Sequence, residues 1–317
     1  MKIAVVGTGG VGGYFGGLLA RAGEDVTFFA RGTHLEAIRR GLQVKSVHGD
    51  FAVSPAKGTD NLATIGPVDL ALAITHSGEF TQGCVKDFQL EGVLPALPVI
   101  LGPETVVLPL LNGVRAGAKL AEVLGREQTM GGLCRVVSFV DEPGVIRQLS
   151  PFRSITFGKW DGRRSERAQR ILKAMTAAEI DATLADDIEK EMWTKFVFIT
   201  AYSGVGAVTR SPAGDLLACP ETMAMLRAVV EEIVATGRAK GVALDEDIVE
   251  KTMAFFEGLP DDATASMQRD VQDGRFFELE ALTGSLVRNG QLLDVPTPVN
   301  QFIYAALKPQ LRALEKR

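Results

Sequence analysis

The sequence predicts two regions: an α/β N-terminal region built on a doubly wound parallel sheet, and an all-α C-terminal region. Three observations carry this expectation. The chain opens on KIAVV (residues 2–6), a β-branched run that leads straight into the glycine cluster GTGGVGG. Apolar runs and helical patterns then alternate, which is the order that builds parallel sheets. After Asp186 the strand-like runs stop and helical periodicity continues to the end. A chain of 317 residues suggests two domains, and the boundary is placed between residues 186 and 187.

KIAVV has the composition of a strand buried on both faces. Gly7, Gly9 and Gly12 match G-x-G-x-x-G, and YFGGLLARAG continues as a helix ending near Gly23. DVTFFAR reads as the second strand. Strand, glycine turn, helix, strand is the context that a dinucleotide-binding Rossmann-type fingerprint requires. Gly7 permits the tight turn, Gly9 lets the backbone approach a pyrophosphate, and Gly12 lets helix and sheet pack closely. Thr8, Gly10 and Val11 complete the cradle. The helix start supplies amide donors and a positive dipole end.

An acid at the end of the second strand would mark a binder of NAD. Ala30-Arg31-Gly32-Thr33 stands there instead. Arg31 can pair with a 2′-phosphate and Thr33 can donate to it, which points to NADPH/NADP. The competing account of Arg31 is a solvated surface arginine.

Further strands fit VDLALAIT (68–75) and TVVLPLLNG (105–113). Ligands of such sheets gather at the carboxyl ends of the strands. Thr75 and His76 follow one strand and become cofactor candidates. Asn112 ends the other, where its amide can orient nicotinamide or substrate; ordinary Asn-Gly turn chemistry explains it equally well. Between them, Pro95 and Pro98 break any long helix. After Gly131, LCRVVSFV, GVIRQLS and SITFGKW read as antiparallel strands. The amphipathic helix RSERAQRILKAMTAAEI is expected to close the first domain.

Asp186 or Asp187 can cap the next helix, which runs through Trp193 and Lys195 until Pro212 blocks continuation. More helices are expected over residues 221–241, 245–258, 265–289 and 298–316. Lys195 sits in EMWTKFVFITAYSG (191–204), inside a run of large apolar residues. Burying a lone ammonium is costly. Glu191, on the same helix face, can neutralise it, or the stem can snorkel to water. The alternative is a lysine held in a dry cleft to move a proton. Downstream, Ser266 begins a helix with Asp270 one turn on. Glu278 follows Phe276 and Phe277, either half-exposed or held in a cleft.

The formal charge of -5 and pI of about 5.4 give no bulk attraction to nucleic acid or anionic membrane. Cys84, Cys134 and Cys219 lie far apart, which argues for a reducing compartment. His34, His48 and His76 are also scattered, without metal-site spacing. No apolar segment is long enough to cross a bilayer. A cytoplasmic protein is expected.

Taken in order, the GTGGVGG cradle, Arg31, LLNGV, the hairpin near residues 144–149, EKEMWTKF and SMQRDVQDGRFFELEALTG resemble the ketopantoate reductases (2-dehydropantoate 2-reductases). The likeness covers almost the whole chain, and its last segment is the most specific. It implies an NADPH-binding Rossmann domain and a helical domain, with a small keto-acid substrate in the cleft between them and room for a homodimer. The implied reaction reduces 2-dehydropantoate to pantoate. The resemblance makes Lys195 the proton donor to the carbonyl oxygen and Glu278 the acid that tunes or orients it. Ser266 binds substrate, and Asn112 contacts both cofactor and substrate. A developing alkoxide needs such a donor, and desolvation brings a lysine nearer the operating pH.

The chain departs from the family at several places. Thr75-His76-Ser77 stands where a lysine is usual. Ile199, Ser203 and Ala213 stand where asparagines usually hold the keto acid, leaving Ser203 as the remaining polar substrate candidate on the lysine helix. Two other readings therefore stay open: a related NADP-dependent dehydrogenase of a different hydroxy acid, and a non-catalytic nicotinamide-binding sensor.

Overall fold

The computed structural model describes residues 1–74 and 92–316. Thr75 and His76 lie outside the described residues, so nothing follows here for either as a cofactor residue. By internal contacts the chain divides into two units. One comprises Met1–Leu111 and Ala116–Ile188, the other Asn112–Arg115 and Glu189–Arg317.

The first unit begins with β1 (Lys2–Val6), α1 (Gly10–Arg21), β2 (Asp25–Phe29), α2 (Gly32–Arg40), β3 (Leu42–Ser46), β4 (Phe51–Val53), β5 (Lys57–Thr59) and β6 (Val68–Ala73). After a 3-10 helix (Leu94–Ile100) that accommodates Pro95 and Pro98 come β7 (Leu101–Pro109) and α3 (Arg115–Leu124). β8 (Gly131–Arg135), β9 (Ser138–Glu142), β10 (Val145–Gln148), β11 (Ser154–Gly158), α4 (Glu166–Ala177) and β12 (Asp181–Leu184) complete it.

The main sheet has the order β5-β2-β1-β6-β7, with every pair parallel. The order reverses beside β1, the switch point at which such sheets bind ligands. Ile3 and Val5 of β1 join one apolar core while Ala4 and Val6 join another, as a strand covered on both faces requires.

Past Gly131 the chain differs from the simple antiparallel series read in the sequence. LCRVVSFV is two strands, not one: β8 pairs with β11, and β9 pairs with β10. The chain changes sheets between them, where Val137 N–H binds Ser150 Oγ instead of a ladder partner. Each pair also gains a parallel neighbour, β3 beside β10 and β12 beside β11. The α4 helix, expected to close the first domain, is capped by Ser165 and followed by β12 inside the same unit.

The second unit is helical: α5 (Ile188–Thr209), α6 (Ala213–Ala218), α7 (Pro220–Ala239), α8 (Ile248–Glu257), α9 (Ser266–Gln272), α10 (Thr283–Leu292) and α11 (Pro298–Glu315). Trp193, Phe196, Val197, Ala201 and Val205 of α5 are buried among Val230 and Ile233 of α7, Leu286 of α10 and Ile303 of α11. Each buried valine, leucine, isoleucine or phenylalanine side chain among these contributes about 1.5–3 kcal/mol by leaving water. Among the described residues, no helix is long and apolar enough to cross a membrane.

The helix expected over residues 265–289 is broken. The α9 helix stops before Gly274, which takes a left-handed φ of 63°, and helical structure resumes only at Thr283. Glu278 lies on the non-helical stretch between.

Candidate active site

In the first unit, the glycine turn between β1 and α1 is held from several sides. Gly12 can only be glycine, because a Cβ there would stand 2.1 Å from the Gly7 carbonyl oxygen. Gly10 and Val11 are buried in the first turn of α1. Thr8 donates both its N–H (3.2 Å) and its hydroxyl (3.0 Å) to the Phe29 carbonyl at the end of β2. The first turn of α1 carries no acidic residue, and Gly9 at its N-cap supplies no side-chain cap. A helix start without an internal anion suits the pyrophosphate of a dinucleotide.

Arg31 is exposed at the extended N-cap of α2, its guanidinium 5.6 Å from the Phe29 ring centroid. Thr33 is exposed two residues on. His34, which no motif in the sequence marks, also takes part. Its Nε2 lies 2.8 Å from the Thr8 carbonyl oxygen, and Gly144 donates its N–H to Nδ1 at 3.0 Å. An acceptor at Nδ1 and a donor at Nε2 define the neutral ring with its proton on Nε2. Burial, opposed by the bond to Thr8, lowers the His34 pKa from its usual 6.5. The only hint in the sequence was its position three residues after Arg31.

In the second unit three residues from distant parts of the sequence meet. Lys195 Nζ donates to Asn112 Oδ1 at 3.0 Å, and Asn112 Nδ2 donates to Glu278 Oε2 at 3.0 Å. Both ends of the amide are therefore oriented, with its oxygen toward the cation and its nitrogen toward the carboxylate. All three residues are half-buried. Gly113 makes the approach possible. Its φ is 88°, and a Cβ on it would lie 2.6 Å from the Ala281 carbonyl oxygen. The Asn-Gly pair is thus both a turn and a close backbone seat against the segment that bears Glu278.

The remaining expected substrate residues do not join this trio. Ser203 is fully buried in α5, two turns past Lys195, and among the described residues its hydroxyl has no hydrogen-bond partner. Ser266 is exposed at the first position of α9. Asp270 accepts from Arg275 Nε at 3.2 Å. Ile199, one turn past Lys195, is half-buried, and Ala213 is buried at the start of α6. Tyr202 donates its hydroxyl to the Ala263 carbonyl at 2.6 Å, and burial, opposed by the nearby charge of Arg269, pushes its pKa up to about 12. Beside the trio in sequence, Glu280 accepts from Arg288 (2.6 Å), Lys308 (2.7 Å) and the Tyr304 hydroxyl (2.8 Å). Among the described residues, no group of three or more histidine, cysteine or acidic side chains could hold a metal ion.

Residues 3–162 match the family described as ketopantoate reductase PanE/ApbA, and residues 187–310 match its C-terminal counterpart. The chain is 30% identical over 311 residues to the uncharacterized oxidoreductase YkpB of Bacillus subtilis, covering 97% of this chain and 98% of that protein. It is 27% identical to a 2-dehydropantoate 2-reductase of Mesorhizobium japonicum, covering 97% of each. Among solved structures, a PanE/ApbA family ketopantoate reductase from Ralstonia eutropha superposes with a TM-score of 0.88 at 26% identity, covering 99% of this chain and 100% of that one.

Proposed function

Because the chain belongs to the ketopantoate reductase family, we propose that it reduces a 2-keto acid with NADPH, Lys195 supplying the proton. As a member it is an oxidoreductase acting on a CH–OH group, with a nicotinamide dinucleotide as cofactor. The proposal adds the substrate, the choice of NADPH and the residue roles. On this reading the substrate is 2-dehydropantoate and the product pantoate, which places the protein in pantothenate biosynthesis, in the cytoplasm.

When bound, the dinucleotide would supply a hydride to the carbonyl carbon. Charge then develops on the carbonyl oxygen, and a cation that can also give a proton stabilises it most directly. Lys195 does this: one N–H bond breaks as an O–H bond forms, and the product is the hydroxy acid. Asn112 fixes the direction of the ammonium without itself carrying charge, and Glu278 orients the Asn112 amide from its other end. The observation that carries the reading is this Lys195–Asn112–Glu278 chain of hydrogen bonds. A lysine kept only for solubility needs neither partner. Ser266 and Ser203 remain substrate-binding proposals, and a homodimer is the proposed assembly.

Gly7, Thr8, Gly9, Gly10, Val11 and Gly12 would hold the pyrophosphate. Arg31 would take the 2′-phosphate, as an exposed guanidinium at a helix start can.

One observation favours a second substrate. Ile199 offers no hydrogen bond one turn along from Lys195. An apolar residue there suits a keto acid whose side chain lacks the hydroxyl of ketopantoate. A panel of 2-keto acids with NADPH oxidation as readout separates the two. Turnover of 2-dehydropantoate well above the others supports the first reading; preference for a purely apolar side chain supports the second. Lys195→Ala should lower kcat by about 10²–10⁴-fold. Near wild-type kcat in that variant would refute the proton donor, and binding of NADPH without turnover of any keto acid would leave a sensor.

A further inference from the structure

Among the described residues, the His34 ring makes two hydrogen bonds, and both go to backbone. Its Nε2–H donates to the Thr8 carbonyl at 2.8 Å, and its Nδ1 accepts from Gly144 N–H at 3.0 Å. The three residues belong to three different elements: the glycine turn, the first turn of α2, and the turn joining β9 to β10. The ring is thus a cross-link among parts of the chain 26 and 110 positions apart.

Among the described residues, Thr8 is otherwise tied to the end of β2, through its N–H and hydroxyl. Those bonds place the residue but leave the plane of the following peptide to be set by its carbonyl. A trans peptide is planar, so the Thr8 carbonyl and the Gly9 N–H point in opposite directions. With the carbonyl turned onto His34, the Gly9 N–H is turned away from the ring. Gly9 has no Cβ to restrict it, so the peptide plane needs an external hold.

The third element is braced as well. A Cβ at Gly144 would stand 2.7 Å from Ala37 Cβ of α2, and one at Gly10 would stand 2.4 Å from the Ser138 carbonyl oxygen of β9. The hairpin of β9 and β10 therefore backs both α2 and the glycine turn, and His34 joins them at its centre.

We propose that His34 is a positioning residue for dinucleotide binding, its neutral imidazole stapling the Thr8 carbonyl to the Gly144 amide and so fixing the direction of the Gly9 N–H. The proposal rests on the assignment of the glycine turn as the pyrophosphate site. His34 touches neither the reacting atoms nor, on this account, the cofactor.

The test measures NADPH binding directly, by fluorescence titration of the purified protein, beside steady-state kinetics. His34→Leu fills the space without hydrogen bonds. His34→Gln offers an acceptor and a donor at nearly the spacing of the ring nitrogens. His34→Leu should raise the NADPH Kd and KM about tenfold, as loss of one oriented N–H donor to a charged phosphate implies. Its kcat at saturating cofactor should stay within about twofold of wild type. His34→Gln should bind NADPH nearly as wild type does. Wild-type affinity in His34→Leu, or a Gln variant as weak as the Leu variant, overturns the proposal while leaving the cofactor site standing. A wild-type protein that binds neither NADPH nor NADH overturns the site assignment and the proposal with it.

Discussion

The side chains of Asn112 and Lys195 are separated by 83 positions in sequence and by 3.0 Å in space. The same amide reaches Glu278 from its other end, 166 positions away. An asparagine that accepts from an ammonium through its oxygen and donates to a carboxylate through its nitrogen is held in one orientation from both ends.

That arrangement predicts coupling. Asn112→Ala and Glu278→Ala should each lower kcat/KM, and the double variant should lose less than the sum of the two. The coupling energy expected for side chains in one hydrogen-bonded chain is about 0.5–3 kcal/mol. Kinetics of the four proteins give it, and strict additivity would show that Glu278 acts independently of Asn112.

Gly113→Ala should damage both stability and activity. The left-handed φ of 88° disfavours any side chain, and the new Cβ would meet the Ala281 carbonyl oxygen at 2.6 Å. A cost of about 1–3 kcal/mol is expected. Denaturant titration would read it as a lower midpoint, and kcat should fall because Asn112 is displaced from Glu278. An unchanged midpoint would mean that the 278–282 segment moves aside freely.

Acid should expose the role of Glu280. Burial raises its pKa and is the largest single influence, but hydrogen bonds from Lys308, Arg288 and Tyr304 together outweigh it, so the carboxyl is held below its usual 4.5. A depressed carboxylate pKa adds stability above the unfolded value, and that stability is lost as pH falls through the folded one. Glu280→Gln should therefore be less stable than wild type at neutral pH, and the gap should close as the pH drops below 4.5. Unfolding midpoints measured across that range would reveal a constant gap if the charge were irrelevant.

Arg31→Ala should weaken NADPH about tenfold or more, the scale of a charge-assisted hydrogen bond, and leave NADH nearly unchanged. The ratio of kcat/KM for the two cofactors is the measurement. A ratio equal to wild type would return Arg31 to the solvated surface.

The parts of the fold that could be read in the sequence are those with strong local signals. KIAVV before GTGGVGG announced the first strand, turn and helix because composition and glycine spacing agree there. The lysine helix was legible from its apolar run and from Pro212. β4, β5 and β12 were missed because they are short and half-exposed, with no alternation long enough to register. The break between α9 and α10 was missed because one glycine outweighed a helical pattern on both sides of it. Asn112 was even between turn and site because its partners are far away in the chain. His34 was invisible as a participant because both its partners are backbone groups, which leave no mark on sequence.

One short stretch bears on how the protein comes to be active at all. Asn112–Arg115 is grouped with the helical unit although the residues on both sides of it belong to the other. The hydrogen-bonded trio is therefore not encoded within the segment 189–317 that supplies its lysine and glutamate. A ribosome finishing that segment adds Lys195 and Glu278 to a chain in which Asn112 has long been waiting. Closing so long a loop comes after local helix formation, so competence for chemistry should arrive as a late event in folding. A helical half expressed alone would carry its acid and its lysine without the amide that introduces them.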